Sequence, residues 1–465
     1  MRVRGAVSLL LVAAVVAGGV AAGRFGPATP AAAQSGPAES WAWLCPHGGG
    51  AGWEGVVALA NPGDSPVRAR VTTLTAAATR TVGLVTVPAG GEVLQRVPAG
   101  RRESSSFVEV FGGWLAVGWM VRADDPDTGL SAEPCAPQAG VTWLTTESSS
   151  EEGEQAYLVI ANPFAADAVF DVTLFSPDRP PLRDLDWTDL TLKGGRSMAL
   201  PLSKKIVGEE AVAAVLQAKV GRVAVATLGI TDGGGVRGVL GAREPATVWH
   251  LPTGEGAGQA TLVTFVPGDK GLRFGASLFS REGPQAAGGL VDAQQQGAST
   301  QVSPVITSGP SSIVVTALGD QALVAAQRAE GQSADDAATG GTAMPATEWV
   351  VLPTVAEEPS VPGLVVENPG AEAVSVTLRL LTPEGVGPRE ASFELAASGT
   401  AGAPRSFFEG ASQAAVLVTA TGPITAAGAS TSSGVHGLSL YALSMGVPVP
   451  DGGSAGLPES DTAVP

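Results

Sequence analysis

Aromatic side chains are scarce: they make up 5% of the 465 residues, and tyrosine occurs twice. Histidine occurs three times and cysteine twice, and 27 basic residues face 44 acidic ones, leaving a formal net charge of −17. Each shortage excludes something. Without a basic face there is nothing to neutralise phosphates, so nucleic acid is not expected as a partner, and neither is peripheral attachment to anionic lipid. The charge itself reads as solubility. Three scattered histidines (His47, His250, His436) and two cysteines give no metal-ligand spacing, so no metal and no cofactor are expected. Gly-x-Ser-x-Gly is missing, and no histidine has an evident serine or acidic partner in the sequence. No pair of carboxylates stands out for glycoside hydrolysis. The chain therefore reads as not an enzyme. Long helical periodicity is missing too, which turns the reading toward strands.

What is present is glycine (62), proline (35) and an ample supply of Ala, Val and Leu, a mixture that suits many short strands closed by turns. The run Val56-Val57-Ala58-Leu59-Ala60 stops at Asn61-Pro62-Gly63. It recurs as Leu158-Val159-Ile160-Ala161 before Asn162-Pro163, and as Leu364-Val365-Val366-Glu367 before Asn368-Pro369-Gly370. A degenerate copy, Leu262-Val263-Thr264-Phe265-Val266-Pro267-Gly268, lacks the asparagine. All three asparagines of the chain sit directly before a proline. Proline cannot continue an interior strand, and asparagine bonds the backbone two residues on and starts a turn. Each run reads as a buried strand and each motif as its end. An alternating strand follows, such as Val67, Ala69 and Val71 against Arg68 and Arg70, which marks a half-buried antiparallel strand.

Four units can be laid on one another. They open at Trp43, Trp143, Trp249 and Trp349, spaced 100, 106 and 100 residues apart. Each ends in two apolar runs across a Gly-containing turn, as in Phe107-Val108-Glu109-Val110 and Leu115-Ala116-Val117-Gly118-Trp119, a hairpin signature. About 100 residues with about seven short strands predicts an immunoglobulin-like β-sandwich. A propeller blade would need roughly half that period. The expected fold is all-β, with four tandem immunoglobulin-like repeats at 41–137, 141–247, 248–347 and 348–450. The third diverges most, with a polar insert at Gln294-Gln295-Gln296-Gly297, and the tail 451–465 reads as disordered.

The N-terminus carries Arg2 and Arg4, then a run of uncharged, mostly apolar residues from Gly5 to Gly23, closed by Arg24. Residues 1–24 are expected to be either a retained single-span anchor or a cleaved signal peptide. Both readings put the remainder outside the cytoplasm, with 25–40 as a Pro/Ala-rich linker. Cys45 and Cys135 fall near the start and end of the first unit. In an oxidising compartment a disulfide between them is expected, against a free thiol or, with His47 close to Cys45, a metal site. In the entropic model that link is worth roughly 4 kcal/mol.

The order Trp43-Leu44-Cys45-Pro46, Asn61-Pro62-Gly63, alternating strand, Val87-Pro88-Ala89-Gly90 and hairpin, following a membrane segment and linker, resembles the actinobacterial secreted or membrane-anchored proteins built from a repeated domain of unknown function. The resemblance spans roughly 41–450. It implies an extracytoplasmic place, secreted or anchored by a single pass, and hands over no catalytic residues.

Other motifs carry two readings each. Gly233-Gly234-Gly235-Val236-Arg237-Gly238 fits Gly-x-Gly-x-x-Gly, but it sits between strands and reads as a turn rather than a dinucleotide site. Asp124, Asp125 and Asp127 could offer oxygens to calcium, yet lack the spacing of the helical calcium loop and read as a solvated turn. Trp43 reads as core, whereas Trp53 and Trp114 are candidates for a binding surface that stacks on sugar or packs on a partner. The expected function is a non-catalytic, envelope-associated scaffold or protein-interaction protein. The alternative is an array of cell-wall carbohydrate-binding modules. The partner would be an envelope protein or cell-wall polysaccharide, with membrane contact through the N-terminal helix.

Overall fold

A computed structural model describes residues 40–254, 259–286, 293–307, 309–331, 335–356, 360–383, 385–411, 413–434 and 439–450. The N-terminal segment 1–24, the linker up to residue 39, His436 and the tail 451–465 lie outside the described residues. Among the described residues no helix is long and apolar enough to cross a membrane.

The described chain is all-β and falls into four successive blocks of strands. The first holds β1 (Ser40–Cys45), β2 (Glu54–Asn61), β3 (Val67–Leu74), β4 (Thr79–Val87), β5 (Gly91–Pro98), β6 (Ser105–Phe111), β7 (Ala116–Ala123) and β8 (Gly129–Pro134). The second holds β9 (Thr142–Thr145), β10 (Glu154–Asn162), β11 (Ala168–Phe175), β12 (Leu182–Arg183), β13 (Leu190–Leu192), β14 (Arg196–Pro201), β15 (Ala213–Val220), β16 (Ala224–Thr231) and β17 (Val236–Leu240). The third holds β18 (Val248–Thr253), β19 (Gln259–Val266), β20 (Leu272–Ser280), β21 (Gly283–Ala286), β22 (Ala293–Gln295), β23 (Ser299–Ile306), β24 (Ser311–Leu318), β25 (Val324–Glu330) and β26 (Asp336–Gly340). The fourth holds β27 (Ala346–Val351), β28 (Ser360–Asn368), β29 (Val374–Thr382), β30 (Gly385–Leu395), β31 (Gly399–Gly402), β32 (Ala415–Ser433), β33 (Ser439–Met445) and β34 (Val447–Pro448).

One pairing order recurs. The first block forms β1-β6-β3-β4 and β5-β2-β7-β8. The second forms β9-β15-β11-β12 and β14-β10-β16-β17, and the third β18-β24-β20-β21 and β23-β19-β25-β26. In the fourth, β32 serves both sheets: its first part pairs with β27 and β29, its second with β28 and β33. Each block thus has eight ladder positions rather than about seven. The two sheets of a block share one core, in the second block Phe170, Val172 and Leu216 from one sheet against Leu158, Ile160 and Val225 from the other.

The Asn-Pro motif has a precise job at the end of β2, β10 and β28. Asn61 is buried; its Nδ2 donates to the carbonyls of Ser65 (2.8 Å), Val87 (3.3 Å) and Pro88 (3.0 Å), and its Oδ1 accepts from Gly63 N at 3.0 Å. Asn162 does the same to Ala166, Leu192 and Lys193, and Asn368 to Glu372, Leu395 and Ala396. The third block has Val266 there, paired with Ser299 as Asn61 pairs with Gly91. Its amide comes from the opposite side. Gln295, four residues before Ser299 as Val87 is four before Gly91, sends Nε2 to the carbonyls of Thr264 (3.2 Å) and Ser299 (2.8 Å) and accepts from Thr264 Oγ1 at 2.7 Å. The polar insert thus places a buried amide beside the same strand end, on different carbonyls from those the asparagines hold. Asn162→Ala and Gln295→Ala are each expected to cost about 2–3 kcal/mol, because buried carbonyls lose their donor. Urea unfolding midpoints check this.

The expected disulfide is present: Cys45 and Cys135 are bonded, with Cα atoms 4.6 Å apart. It ties β1 to the segment after β8, beside the bridge Leu44↔Ala136. The second block has the same bridge, Leu144↔Ala242, but Thr145 and Gly241 stand where the cysteines do. A Cβ on Gly241 would lie 3.1 Å from Trp143 Cε3 and from Val225 O and 3.3 Å from Thr145 Cγ2, so a side chain there fits once its neighbours give by a few tenths of an ångström. Thr145→Cys with Gly241→Cys is expected to oxidise to a second disulfide. Loss of both thiols on oxidation, with a rise in the unfolding temperature, checks it; two persistently free thiols would contradict it.

Candidate functional site

The residues singled out in the sequence are mostly structural. Trp53 is buried, not displayed: its Nε1 donates to Asp127 Oδ2 at 3.0 Å, and Arg102 covers its ring at 5.3 Å. Trp114 is half-buried and packs edge-on against Trp43, centroids 6.1 Å apart. Trp53 therefore offers no open indole face, and Trp114 keeps part of its surface exposed. Asp127 also accepts from Arg102, and Asp124 from Arg122, so both carboxylates are spent inside the loop. No metal-holding group of three or more His, Cys, Asp or Glu occurs among the described residues. Gly233, Gly234 and Gly235 have φ of 92°, 143° and 116° in the turn joining β16 to β17. That is a hairpin turn with no helix after it. Three of the four in-register tryptophans are pinned alike: Trp143, Trp249 and Trp349 donate to the carbonyls of Val223, Leu323 and Ile424.

Sequence reasoning missed the joint between the blocks. The last ladder strands, β8, β17, β26 and β33, gather around one axis: β8 lies against β17 and β33, and β26 lies against the same two. Single polar side chains stitch them. Ser131 Oγ accepts from Gly238 N at 2.8 Å, Asp335 Oδ2 from Tyr441 N at 2.6 Å and Thr339 Oγ1 from Met445 N at 3.3 Å. Across the axis, Glu133 Oε1 accepts from Gly340 N at 3.0 Å. Between the outer blocks, Glu92 Oε2 accepts from Ala415 N at 2.7 Å.

Arg237, on β17, is fully buried. Its guanidinium meets Glu147 at 3.3 Å, Glu154 at 2.5 Å and Asp336 of the third block at 3.0 Å, and donates to Thr231 Oγ1. Arg328 on β25 adds a 2.7 Å contact to Glu147. Burial alone would raise the Glu147 carboxyl, but Arg328 and Arg237 outweigh it and hold it below its ordinary range. Asp336 is raised by burial in spite of Arg237, and Glu92, Glu133 and Asp335 make no ion pair with a cation among the described residues. Burial pushes Glu92 up to about 8 and Asp335 up to about 7, and raises Glu133 well above its ordinary 4.5. Each prefers to be protonated because desolvation disfavours the charged form.

Two other polar clusters were weighed for chemistry. His250 Nδ1 lies 2.6 Å from Glu367 Oε1, while Ser312 and Thr425 donate to Glu367 Oε2. Here the serine hydroxyl donates to the carboxylate rather than to the imidazole, so the three groups are not ordered as a Ser-His-acid relay. The cluster clamps β18 and β24 of the third block to β28 and β32 of the fourth. His47 donates through Nδ1 to Gly48 O and accepts at Nε2 from Ser106 Oγ, and burial lowers it to about 4.

Two cavities flank the connection between the second and third blocks. One, of about 650 Å3, opens where β8, β17, β26 and β33 end, with Glu133, Leu240, Trp249, Met344 and Met445 in its wall. The other is a groove of about 780 Å3 over the outer face of β12-β11-β15-β9, walled by Arg243, Glu244, Pro245 and Pro267.

No curated protein matches this sequence. Among solved structures, the chain aligns with an alpha-L-rhamnosidase of Streptomyces avermitilis complexed with L-rhamnose, at 12% identity and a TM-score of 0.15, over 77% of this chain and 53% of that one. It also aligns with an Escherichia coli alpha-2-macroglobulin activated by porcine elastase, at 12% identity and a TM-score of 0.11, over 84% of this chain and 41% of that one. The chain thus spans about half the length of the solved structures it matches, and scores this low establish no shared fold. The match that covers more than half of the chain is to a family model over residues 101–350, from the middle of the first block through β27. The chain belongs to that family, the Family of unknown function (DUF5719).

Proposed function

We propose that this chain is a non-catalytic, extracytoplasmic scaffold of the cell envelope, built from four tandem immunoglobulin-like sandwich repeats behind an N-terminal anchor or signal helix. The observation that carries this reading is the joint. Four blocks with one strand order are locked by buried polar contacts that reach from block to block. Such a joint suits a protein whose task is to hold surfaces at fixed positions, because interfaces without it leave domains free to move. The Cys45–Cys135 bond supports an oxidising compartment, in keeping with the resemblance to actinobacterial secreted or membrane-anchored proteins.

Fractionation of cells carrying the full chain tests this. The protein is expected in the envelope or medium, oxidised, cleaved by protease added from outside, and cross-linked to an envelope protein in intact cells. Recovery from the cytoplasm with reduced thiols would overturn the reading. A second reading, carbohydrate binding, is favoured by the open groove on the second block. Trp53, buried under Arg102, does not contribute to it.

A further inference from the structure

Strands β8, β17, β26 and β33 close the four blocks into a ring, and three of its four seams are also covalent. The chain runs from Pro134 to Thr142 between the first and second blocks, from Leu240 to Val248 between the second and third, and from Gly340 to Ala346 between the third and fourth. The seam between the fourth block and the first has no such tether. Closure of the ring rests there on non-covalent contacts alone.

That seam is apolar with one acid in it. Val350, Leu352, Leu381, Ala415, Leu417 and Val447 of the fourth block join the core of the first. A Cβ on Gly118 of β7 would lie 2.6 Å from Leu352 Cδ1, so the glycine lets the fourth block sit directly on that sheet. One parallel bridge, Gly91↔Thr382, joins the sheets of the two blocks. The next residue is Glu92, 3% exposed, opposite Ala60 in register, with Oε2 accepting from Ala415 N at 2.7 Å. Either form of the carboxyl can accept that bond, but the charged form must also be stripped of water.

No charged group on the elements packed against β5 pairs with this carboxyl among the described residues. β32 has no titratable residue; β2 offers Glu54, β29 Arg379, and β30 Arg389, Glu390 and Glu394, while β3 and β4 bring Arg68, Arg70 and Arg80. Glu54 meets Arg96 instead, and Arg70 meets Glu109. The third–fourth seam has a buried carboxyl too, Asp335, but the chain and the Glu367 cluster also hold it. The second–third seam keeps its ion pairs as pH rises.

From this arrangement we propose that the seam between the first and fourth blocks is a clasp, which opens when Glu92 loses its proton and leaves each block folded. Burial raises Glu92 from 4.5 to about 8 in the closed ring, and Ala415 N–H opposes that only in part. Opening returns the carboxyl to water and to its ordinary range. Its contribution to closure is therefore full below 4.5, shrinks as pH rises and is gone above about 8. The shift corresponds to a closure constant smaller at pH 9 by on the order of a thousandfold. The proposal goes beyond the scaffold reading, and its failure leaves envelope fractionation untouched.

Paired spin labels on the full chain test it. Cys45 and Cys135 are bonded, so introduced thiols alone take the label. Leu84→Cys with Val361→Cys spans the clasp, and Leu84→Cys with Val207→Cys spans the first and second blocks; all three positions are exposed. Pulsed electron paramagnetic resonance at pH 5.5 is expected to give one distance for each pair. At pH 9 the clasp pair should gain a second, longer distance while the reference pair does not. Glu92→Gln keeps the shape without the charge and should hold the clasp pair at its single distance at pH 9. An unchanged clasp pair at pH 9, equal lengthening of the reference pair, or a longer distance that persists in Glu92→Gln would overturn the proposal.

Discussion

Arg237→Ala is expected to lose about 3–5 kcal/mol of folding stability, the range found when one partner of a buried ion cluster is removed. The reason is what stays behind. Glu147 is fully buried, Glu154 and Asp336 are partly buried, and all three lie against the Arg237 guanidinium. Arg328 would still face Glu147, but Asp336 would keep its desolvation without its nearest cation. Since Asp336 belongs to the third block and Arg237 to the second, the damage should fall on the joint. Arg237→Lys keeps a charge yet cannot fork to three carboxylates, so an intermediate loss is expected. Chemical unfolding monitored by tryptophan fluorescence checks both. A loss under 1 kcal/mol for Arg237→Ala would mean that the cluster is not buried as described.

Stability should fall as pH rises from about 5 to 9. Glu92, Asp335 and Glu133 are raised in the folded chain relative to their ordinary values. A raised carboxyl contributes stability that is fully present below its unfolded pKa and is lost as pH climbs through the folded one. For Glu92 the climb from 4.5 to about 8 corresponds to roughly 5 kcal/mol at ~1.4 kcal/mol per unit. Two groups act in the opposite sense on the acid side. Glu147 is lowered, so its contribution is lost as pH falls through its folded pKa. His47, lowered to about 4, must take up a proton to unfold at acid pH and loses its contribution between 6.5 and 4. The expected curve has its maximum at or just below pH 5, because three raised carboxyls outweigh the one histidine above that point, and a long alkaline decline. Glu92→Gln keeps an acceptor for Ala415 N and removes the charge. It should match the natural chain at pH 5 and exceed it at pH 9. A denaturant midpoint that rises between pH 6 and 9 would contradict the assignment.

The strands, the turn motif and the disulfide could be read because their signals are local. Asn61, Asn162 and Asn368 announce a turn by sitting before proline. With two cysteines there is a single intramolecular pairing to consider. The joint could not be read for the opposite reason. Its contacts join a side chain such as Ser131, Thr339 or Glu133 to a backbone N–H about 100–200 residues away, and a backbone amide leaves no mark in a sequence. Arg237 was further disguised by the glycines before it, which suggested a loop. Trp53 and Trp114 suggested a surface because, unlike Trp43, they have no counterpart in register in the other units. Arg102, Asp127 and Trp43 pack against them. The groove was invisible because it depends on the register among β9, β15, β11 and β12.

The account turns on the four blocks forming one closed body around β8, β17, β26 and β33. Small-angle X-ray scattering of the full chain tests that most directly. A closed body of this length has a radius of gyration of about 23 Å by the scaling for compact chains, a little more with its termini. Four sandwiches strung end to end would give roughly 40 Å, and a distance distribution with a long tail. A value in the mid-twenties with a single-peaked distribution is the predicted result; a value near 40 Å would contradict the joint.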